Sequence, residues 1–474
     1  MRTINLFKYQ IRAIQHLWQH KRRLLIASAG LGKTIIGLSL CKILLNKNPE
    51  ARILVITKRI LLRGAWGYDN WDITNFRLPL VIYDSKRKLR KIKNIQTIPG
   101  KDPINITLIS QDQVGRRGEI TLISPDRARR MADVLLSKRY DMVIVDESRM
   151  MGKIKSKRTK FLLSLKDRTD RFYMMTAYPA PNSRLQLYPQ LKAAGYEKTY
   201  TYFKNYFFYV YEFIVKFKKK KEEELHALVS RYAYIIDKES PEVKKELKFG
   251  KQHNIPIRIS TPKTILAYIN RLSKTGVISY ENKDIIADSA LKERLMHRFL
   301  AMGNLYMAHQ DYRFIDDFRL EALKEVIENI QRPTMILFTY IADLERIEKM
   351  LEEEKKIYKV ISGKTSDSQP IINWFKEARN TEILVAQGQT VKYGLSFNNC
   401  KDIIFYDIPD DADVYLQGRE RVHRAFQTDD VFYHLLIAEG TIDEVIYDAL
   451  TNKVNVDRAI KDYLEYVKRT TRNK

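Results

Sequence analysis

The chain has 474 residues, of which 45% are hydrophobic and 11% aromatic, so it can bury large cores and is not a disordered tail. Its 84 Lys and Arg against 57 Asp and Glu leave a formal net charge of +27, which favours a polyanionic partner because a basic surface releases counterions from phosphate backbones. The only cysteines, Cys41 and Cys400, form no zinc or disulfide spacing, and no apolar run reaches the roughly 18 residues of a membrane helix, so we expect a soluble intracellular protein, cytoplasmic or nucleoid-associated, without a membrane or disulfide partner.

Short β-branched runs separated by longer helical stretches recur in the first part of the chain. Near-continuous apolar runs of this length are typical of strands that helices cover on both faces of a parallel sheet. The predicted strands are 24–28, 53–57, 106–110, 142–146 and 172–176.

The middle of the chain has a different composition. Residues from 185 to about 315 are rich in helix formers and tyrosine, carry the lysine run 216–221 and lack the strand rhythm. We therefore predict a mainly helical insertion and linker, with breaks before Pro241 and Pro256. The aromatic residues between 200 and 213 are explained by a helix core, and contact of some rings with nucleic-acid bases remains an alternative.

The strand rhythm returns at 334–338, 357–361, 382–386, 402–406 and 431–437. Two α/β lobes with parallel sheets flanked by helices follow from the two sets. We place the first lobe at 1–184, the insertion at 185–315 and the second lobe at 316–474.

A glycine-rich loop joins the first strand to a helical pattern. Phosphates need inward-pointing backbone N–H groups, which demands glycine where side chains would collide, and a helix N-terminus behind them. Lysine reaches the terminal phosphate oxygens and a hydroxyl binds Mg²⁺. The sequence therefore predicts an ATP site at Ala29, Gly30, Gly32, Lys33 and Thr34.

Two carboxylates, Asp146 and Glu147, end another predicted strand. Ligands bind at the carboxyl edge of a parallel sheet. With the phosphate loop upstream, Asp146 is predicted to hold Mg²⁺ and Glu147 to orient and deprotonate the attacking water.

A second candidate group lies late in the chain. Gln417, Arg421 and Arg424 are spaced i, i+4 and i+7, so one helix through them would present all three on one face. Arginines inserted from another element stabilise charge on a transferred phosphoryl group. We predict Arg421 and Arg424 to be catalytic and Gln417 to bind nucleotide.

These motifs, in this order, resemble superfamily-two helicases, most closely the Swi/Snf-like translocases, and the resemblance spans nearly the whole chain. It implies that the two lobes are RecA-like, that ATP and Mg²⁺ are used, that Gln10 reads adenine and that Gly394 contributes to nucleotide binding. It also implies contacts with the nucleic-acid backbone at Lys58, Arg59, Ser110, Gln111, Gly363, Thr390 and Lys392.

Three positions depart from the family pattern. Arg149 replaces the usual histidine of the Asp-Glu-x-His box, Tyr178 a usual threonine and Glu420 a frequent glycine. Arg149 and Tyr178 lie where the family relays the nucleotide state to the nucleic acid. These two departures therefore put the coupling of hydrolysis to movement in question.

The leading interpretation is an ATP-dependent DNA translocase or helicase on duplex or branched DNA, remodelling forks or migrating branches in replication, repair or recombination. An RNA helicase would carry nearly the same motor residues. A nucleic-acid-binding scaffold with a decayed ATP site is the non-enzymatic alternative, against which the intact motif residues argue.

Overall fold

The chain divides into two compact units, Met1–Lys248 and Phe249–Lys474. The structure is a computed structural model. It describes residues 6–58, 61–62, 66, 78–83, 107–109, 114–211, 214–308, 311–365, 368–391, 397–422, 428–452, 456, 459–460 and 462–465.

The first unit alternates strands and helices. Its strands are β1 (Arg22–Ala27), β2 (Ile53–Ile56), β3 (Leu80–Tyr83), β4 (Thr107–Ile109), β5 (Ile120–Ile123), β6 (Tyr140–Asp146), β7 (Thr169–Thr176), β8 (Phe208–Tyr211), β9 (Ile214–Phe217) and β10 (Ala233–Ile236). Its helices are α1 (Lys8–Gln19), α2 (Lys33–Lys47), α3 (Pro125–Arg130), α4 (Ala132–Leu136), α5 (Lys157–Lys166), α6 (Leu187–Ala193), α7 (Tyr200–Phe207), α8 (Glu222–Tyr232) and α9 (Pro241–Glu246).

Eight of these strands form one sheet in the order β10-β1-β7-β6-β2-β5-β3-β4, and every neighbouring pair is parallel. All four residues of β2 and of β5 are buried, as expected where helices cover both faces. Because parallel strands end at the same edge, the residues after β1, β2, β6 and β7 are brought together there.

The second unit repeats this organisation. Its strands are β11 (Gln252–Ile259), β12 (Val277–Tyr280), β13 (Lys283–Ile286), β14 (Asn304–Ala308), β15 (Asp311–Phe314), β16 (Thr334–Phe338), β17 (Tyr358–Ile361), β18 (Ile383–Gln387), β19 (Asp402–Phe405) and β20 (Val431–Ala438). Its helices are α10 (Lys263–Thr275), α11 (Ala290–Leu300), α12 (Phe318–Glu328), α13 (Leu344–Glu353), α14 (Gln369–Glu377), α15 (Gly388–Val391), α16 (Ala412–Arg419) and α17 (Ile442–Thr451).

The sheet of the second unit has the order β11-β20-β19-β16-β18-β17 and is also parallel throughout. Apolar side chains of β16, β18, β19 and β20 fill its core together with helical residues such as Leu323 and Ile446. Three antiparallel hairpins, β8–β9, β12–β13 and β14–β15, stand outside the two sheets.

The predicted fold class is confirmed, because each of the ten predicted strands is present and both sheets are parallel. Among the strands of the two sheets, sequence analysis missed β3, β5, β10 and β11, and it also missed the six strands of the three hairpins. The burial of β11 alternates along most of its length, which is the pattern of an edge strand with one exposed face and gives no continuous apolar run.

The segment 185–315 differs from the prediction. Its six α-helices hold more residues than its strands do, but the strands number eight. β10 extends the first sheet and β11 extends the second, so the segment contributes a strand to each sheet. The partners of β10 and β11 lie far away in sequence, so the local pattern does not show their pairing.

Within the described part of the chain, no helix has both the length and the apolar character needed to cross a membrane. Cys41 and Cys400 are buried free thiols, one in each unit.

Candidate nucleotide site and nucleic-acid edge

The loop after β1 has the backbone shape of a phosphate cradle. Gly30 and Gly32 adopt φ values of 84° and 79°, a left-handed region that side chains disfavour. A Cβ on Gly32 would lie 2.4 Å from Nε2 of Gln10. The next residue, Lys33, begins α2, so the helix N-terminus and its free N–H groups lie directly behind the loop.

Lys33 lies folded against this loop. Its Nζ donates to the carbonyl oxygens of Ala27 at 2.9 Å and Ser28 at 3.5 Å. The backbone N–H of Ser28 donates to Ile236 in β10, so the edge strand that sequence analysis missed fixes the start of the loop. Ala29 and Thr34 lie half-buried in the same segment.

Gln10 connects the first helix to the cradle. Its side chain is 3% exposed; Oε1 accepts from the N–H of Phe7, and Nε2 donates to the carbonyl of Leu31 at 3.3 Å. The predicted adenine-reading residue therefore lies beside the loop and holds its backbone in place.

Asp146 is buried at the end of β6 and is held by three donors. Oδ2 accepts from Oγ1 of Thr57 at 2.9 Å and from Nε1 of Trp66 at 3.0 Å, and Oδ1 accepts from the N–H of Glu147. Burial and then the charge of Glu147 raise the pKa of Asp146, which the two side-chain hydrogen bonds and Lys33 oppose. The charge of Lys33 thus acts on the carboxylate predicted to hold Mg²⁺.

Glu147 adopts the left-handed backbone conformation with a φ of 55°, which turns the chain sharply after the strand. Its Oε2 lies 3.3 Å from Nε of Arg149. The arginine that departs from the family pattern therefore forms an ion pair with the candidate general base.

A hydrogen-bonded bridge joins this box to the segment after β7, and sequence analysis missed it. Oγ of Ser148 donates to Oε1 of Gln190 at 2.9 Å, while Nε2 of Gln190 donates to the carbonyl of Pro179 at 2.6 Å. Both Ser148 and Gln190 are fully buried. A glutamine among the apolar residues of α6 was the available signal, because buried polar groups need partners.

In the second unit, Gln417 and Arg421 do not lie on one helix. α16 ends at Arg419, and Arg421 follows it, with Nε donating to the carbonyl of Gln417 at 2.8 Å. Arg421 therefore caps the helix C-terminus, which favours a cation there. The amide of Gln417 donates to Oδ1 of Asp413, and Gln417 and Arg421 are both buried.

At the carboxyl edge of the second sheet the structure brings Gly363 and Thr390 together. Oε1 of Gln387 accepts from the N–H of Gly363 at 3.0 Å, and Nε2 of Gln387 donates to the carbonyl of Thr339. Oγ1 of Thr390 donates to the carbonyls of Gln387 and Ile361. Gln387, which sequence analysis did not single out, links three strand ends.

Lys58 lies at the corresponding edge of the first sheet, two residues after β2. Several predicted site residues lie outside the described part of the chain: Arg59, Ser110, Gln111, Lys392, Gly394 and Arg424.

The residues of the first unit fit a nucleotide and its metal ion. A glycine-shaped cradle, a lysine and a helix N-terminus suit phosphates, and the hydroxyl of Thr34 and the carboxylate of Asp146 supply the hard oxygen ligands that Mg²⁺ prefers. Mg²⁺ bound there would neutralise phosphate charge.

Two domain families match the chain. The SNF2-related domain matches residues 9–306 and the helicase conserved C-terminal domain matches residues 319–426. A solved structure, the Sulfolobus solfataricus SWI2/SNF2 ATPase core in complex with dsDNA, covers 99% of this chain and 95% of its own, at 18% identity and a TM-score of 0.44.

Curated relatives are distant and mostly longer. Mouse DNA annealing helicase and endonuclease ZRANB3 is 23% identical over 80% of this chain and 36% of its own length. The SWI/SNF-related matrix-associated actin-dependent regulator of chromatin subfamily A-like protein 1 of Xenopus tropicalis is 21% identical over 95% of this chain and 44% of its own. Putative protein p41 of Acyrthosiphon pisum secondary endosymbiont phage 1 is 22% identical over 98% of both chains.

The chain thus spans less than half the length of the mouse and Xenopus relatives. The match to the SNF2-related domain covers both the phosphate loop and the Asp-Glu box. The chain belongs to the SNF2-related domain family of helicase-like ATPases.

Proposed function

We propose that this chain is an ATP-dependent DNA translocase that acts on duplex or branched DNA. The observation that carries the proposal is that the glycine-shaped loop before Lys33 follows β1 and that the buried Asp146 ends β6, at the same edge of one parallel sheet. Such an edge is where α/β proteins bind ligands.

In the proposed site, the loop N–H groups and Lys33 bind the phosphates, and Thr34 and Asp146 hold the metal ion. Glu147 orients the attacking water and takes its proton, while Arg149 keeps the carboxylate in place through their ion pair. Gln10 contacts adenine from its position beside Leu31.

We further propose that Arg421 and Arg424 stabilise charge on the transferred phosphoryl group, with Gln417 and Gly394 contributing to nucleotide binding. A guanidinium fork binds phosphate oxygens better than an ammonium group. The bond from Arg421 to the helix end supports its role as a fixed, preorganised cation.

The proposed DNA track follows the carboxyl edges of the sheets. Lys58, Arg59, Ser110 and Gln111 would contact the backbone in the first unit, and Gly363, Thr390 and Lys392 in the second. Gly363 and Thr390 are supported by their shared link to Gln387. Phosphate contacts position a protein without reading bases, so little sequence specificity is expected.

Branched DNA is proposed as the substrate, and fork remodelling or branch migration as the process. The net charge of +27 favours a polyanion, and a relative aligned over 80% of this chain is a DNA annealing helicase. RNA is the competing track, since motor residues of this kind do not distinguish the 2′-hydroxyl.

The test measures steady-state ATP hydrolysis with no nucleic acid, duplex DNA, single-stranded DNA, a DNA fork or RNA. We expect duplex or fork DNA to stimulate hydrolysis most; stimulation by RNA alone would reject the DNA assignment. Lys33→Ala is expected to abolish hydrolysis while DNA binding persists. Lys47→Ala, at the other end of the same helix, serves as the matched control and is expected to turn over normally.

A further inference from the structure

Exposed tyrosines concentrate in one short segment of the first unit. Of the eleven large hydrophobic side chains that are exposed in the described part of the chain, five lie between residues 202 and 211, and four of these are tyrosines. Tyr211 is 60% exposed and Tyr202 is 46% exposed. Tyrosine is enriched at binding interfaces, where its ring is buried against a partner and its hydroxyl contacts solvent. A cluster of exposed tyrosines therefore requires an explanation.

Two of the rings lie on α7. The helix begins after Thr199, whose hydroxyl accepts from the N–H of Tyr202, and it buries Phe203 and Phe207. Tyr202 and Tyr206, four residues apart, point away from that core and stack with ring centroids 5.6 Å apart and planes within 10°. The core of this helix is therefore built by the phenylalanines, not by the tyrosines.

The other two rings lie on the β8–β9 hairpin. Phe208 and Phe217 are paired across the hairpin and pack edge to face, which fixes the inward face. Because strand side chains alternate, Tyr209 and Tyr211 face outward, and their rings stack at 6.1 Å. Lys216 is paired opposite Tyr209 and is exposed on the same face.

Lysines join the two ring pairs into one surface. Nζ of Lys218 donates to the carbonyls of Asn205 and Tyr206 at the end of α7 and lies 5.2 Å from the ring centre of Tyr209. Nζ of Lys221 lies 4.3 Å from the ring centre of Tyr206. We define the Tyr–Lys surface as the residues Tyr202, Tyr206, Tyr209, Tyr211, Lys216 and Lys218.

The charge of this region suits a polyanion. From residue 198 to residue 221 the chain has seven lysines and one acidic residue, Glu212. Three glutamates follow at 222–224, and Oε2 of Glu224 accepts a hydrogen bond from the hydroxyl of Tyr206 at 2.6 Å. Flat exposed rings beside lysines combine the two elements by which proteins bind single-stranded nucleic acids, base stacking and attraction to the backbone.

We propose that the Tyr–Lys surface binds single-stranded DNA by stacking unpaired bases on its exposed tyrosine rings while its lysines contact the phosphates. The inference rests on the proposed function, because a strand exposed at a branch is its source of unpaired bases. Bases inside a duplex already stack on their neighbours and offer only their edges and their backbone. The rings therefore gain contact only with unpaired bases, and every base has a face to stack, so sequence preference is weak.

The experiment compares two DNA forks whose single-stranded arms have equal length and charge, one with normal bases and one abasic. Binding of each fork is measured by fluorescence anisotropy at fixed salt. The unchanged protein is expected to bind the fork with normal bases more tightly than the abasic fork, by about ten-fold for each base that stacks on a tyrosine ring. The triple variant Tyr202→Ala, Tyr209→Ala, Tyr211→Ala, which leaves Tyr206 as the remaining ring of the surface, is expected to lose most of this preference.

The matched control replaces the same three tyrosines with phenylalanine, which keeps the rings and the fold, and it is expected to retain the preference for the normal arm. Lys216→Gln is expected to weaken binding to both forks alike. Equal binding of the two forks by the unchanged protein, or an undiminished preference in the triple alanine variant, would overturn the inference. If the Tyr–Lys surface instead bound an acidic protein, the unchanged protein would bind the two forks equally.

Failure of the proposed function is distinguishable. It would appear as the absence of any DNA stimulation of ATP hydrolysis in the unchanged protein, whichever way the fork comparison turns out.

Discussion

Oγ of Ser148 lies 2.9 Å from Oε1 of Gln190 and donates a hydrogen bond to it. Since Nε2 of the same glutamine donates to the carbonyl of Pro179, one buried side chain connects the residue after Glu147 to the segment that follows β7. In the proposed motor, the segment around Glu147 contacts the nucleotide, and the segment after β7 relays the nucleotide state to the DNA track. Gln190 is therefore a positioning residue, placed to transmit a shift of one segment to the other.

Replacing Gln190 tests this bridge. Gln190→Met keeps the length of the side chain but removes the two hydrogen bonds of the bridge and a third to the carbonyl of Gln186, so we expect DNA-stimulated hydrolysis to fall much more than hydrolysis without DNA. The free energy of unfolding should drop by about 1–3 kcal/mol, because buried polar partners lose their bonds. Steady-state ATPase rates with and without duplex DNA, together with urea unfolding, measure the two effects.

Ser148→Ala is the matched control, because it removes the serine arm and leaves the bond to Pro179. It should produce an intermediate loss of stimulation. An unaltered ratio of stimulated to unstimulated rate in Gln190→Met would show that the bridge is only structural.

Trp66→Phe tests the support of the candidate metal ligand. The substitution keeps an aromatic ring in a fully buried place but removes the donor to Oδ2 of Asp146. Partners that orient a metal ligand typically contribute about 10–100-fold to affinity or activity. We expect a higher Mg²⁺ concentration for half-maximal hydrolysis, with partial recovery at excess Mg²⁺.

The control for this variant is Trp18→Phe in the same unit, where the ring packs under the guanidinium of Arg171. Its Mg²⁺ dependence should match that of the unchanged protein. Identical titration curves for all three proteins would remove Trp66 from the proposed site.

Arg424→Ala tests the proposed contribution of the second unit to hydrolysis. If the guanidinium acts only on the developing phosphoryl charge, turnover falls by about 10³-fold or more while ATP affinity changes little. Pre-steady-state nucleotide binding and kcat measure the two separately. A loss confined to ATP affinity is incompatible with the proposed role.

Asp443→Asn tests a buried charge network in the second unit. Asp443 accepts from Nη1 of Arg298 at 2.9 Å and contacts Nη2 of Arg319, and all three side chains are buried. Removing one partner leaves charge uncompensated, so we expect a loss of about 3–5 kcal/mol in the free energy of unfolding. Urea unfolding monitored by circular dichroism measures it.

The neighbouring Glu444→Gln is the control. Its carboxylate pairs at 3.0 Å with Arg258 near the surface, where both side chains are more than a third exposed. A solvent-exposed pair contributes little, so this variant should unfold close to the unchanged protein. Equal losses in the two variants would contradict the distinction between buried and exposed pairs.

Asp343→Asn tests a buried carboxyl group. Burial, reinforced by the charge of Asp407, raises the pKa of Asp343 to about 7. Between about pH 4 and 7 the folded state keeps a proton that the unfolded state releases, so stability falls as pH rises, by at most about 1.4 kcal/mol per pH unit. The asparagine variant lacks this loss.

The stability of the Asp343→Asn variant relative to the unchanged protein should therefore rise up to about pH 7 and stay level above it. Urea unfolding at pH 5, 6, 7 and 8 measures this difference. Arg346 lies 3.9 Å from Asp343 and also pairs with the exposed carboxylate of Asp317, and Asp317→Asn should leave the pH dependence unaltered. Parallel curves for Asp343→Asn and the unchanged protein would refute the expectation.

The sequence by itself determined the ten core strands, the phosphate loop and the Asp-Glu box. These features are local, because apolar runs mark strands covered on both faces and glycine spacing marks a backbone that side chains would obstruct. The same local reasoning failed where a helix ends: α16 stops at Arg419, so the spacing of Gln417 and Arg421 does not place them on one helical face.

Only the tertiary structure decided which side chains support the site. Thr57 and Trp66 reach Asp146 from 89 and 80 residues away in sequence, and Gln190 reaches Ser148 from 42. β10 and β11 likewise joined sheets whose other strands lie far along the chain. Such partners are set by the order in which parallel strands pack, and strand order leaves no trace in the periodicity of a single segment.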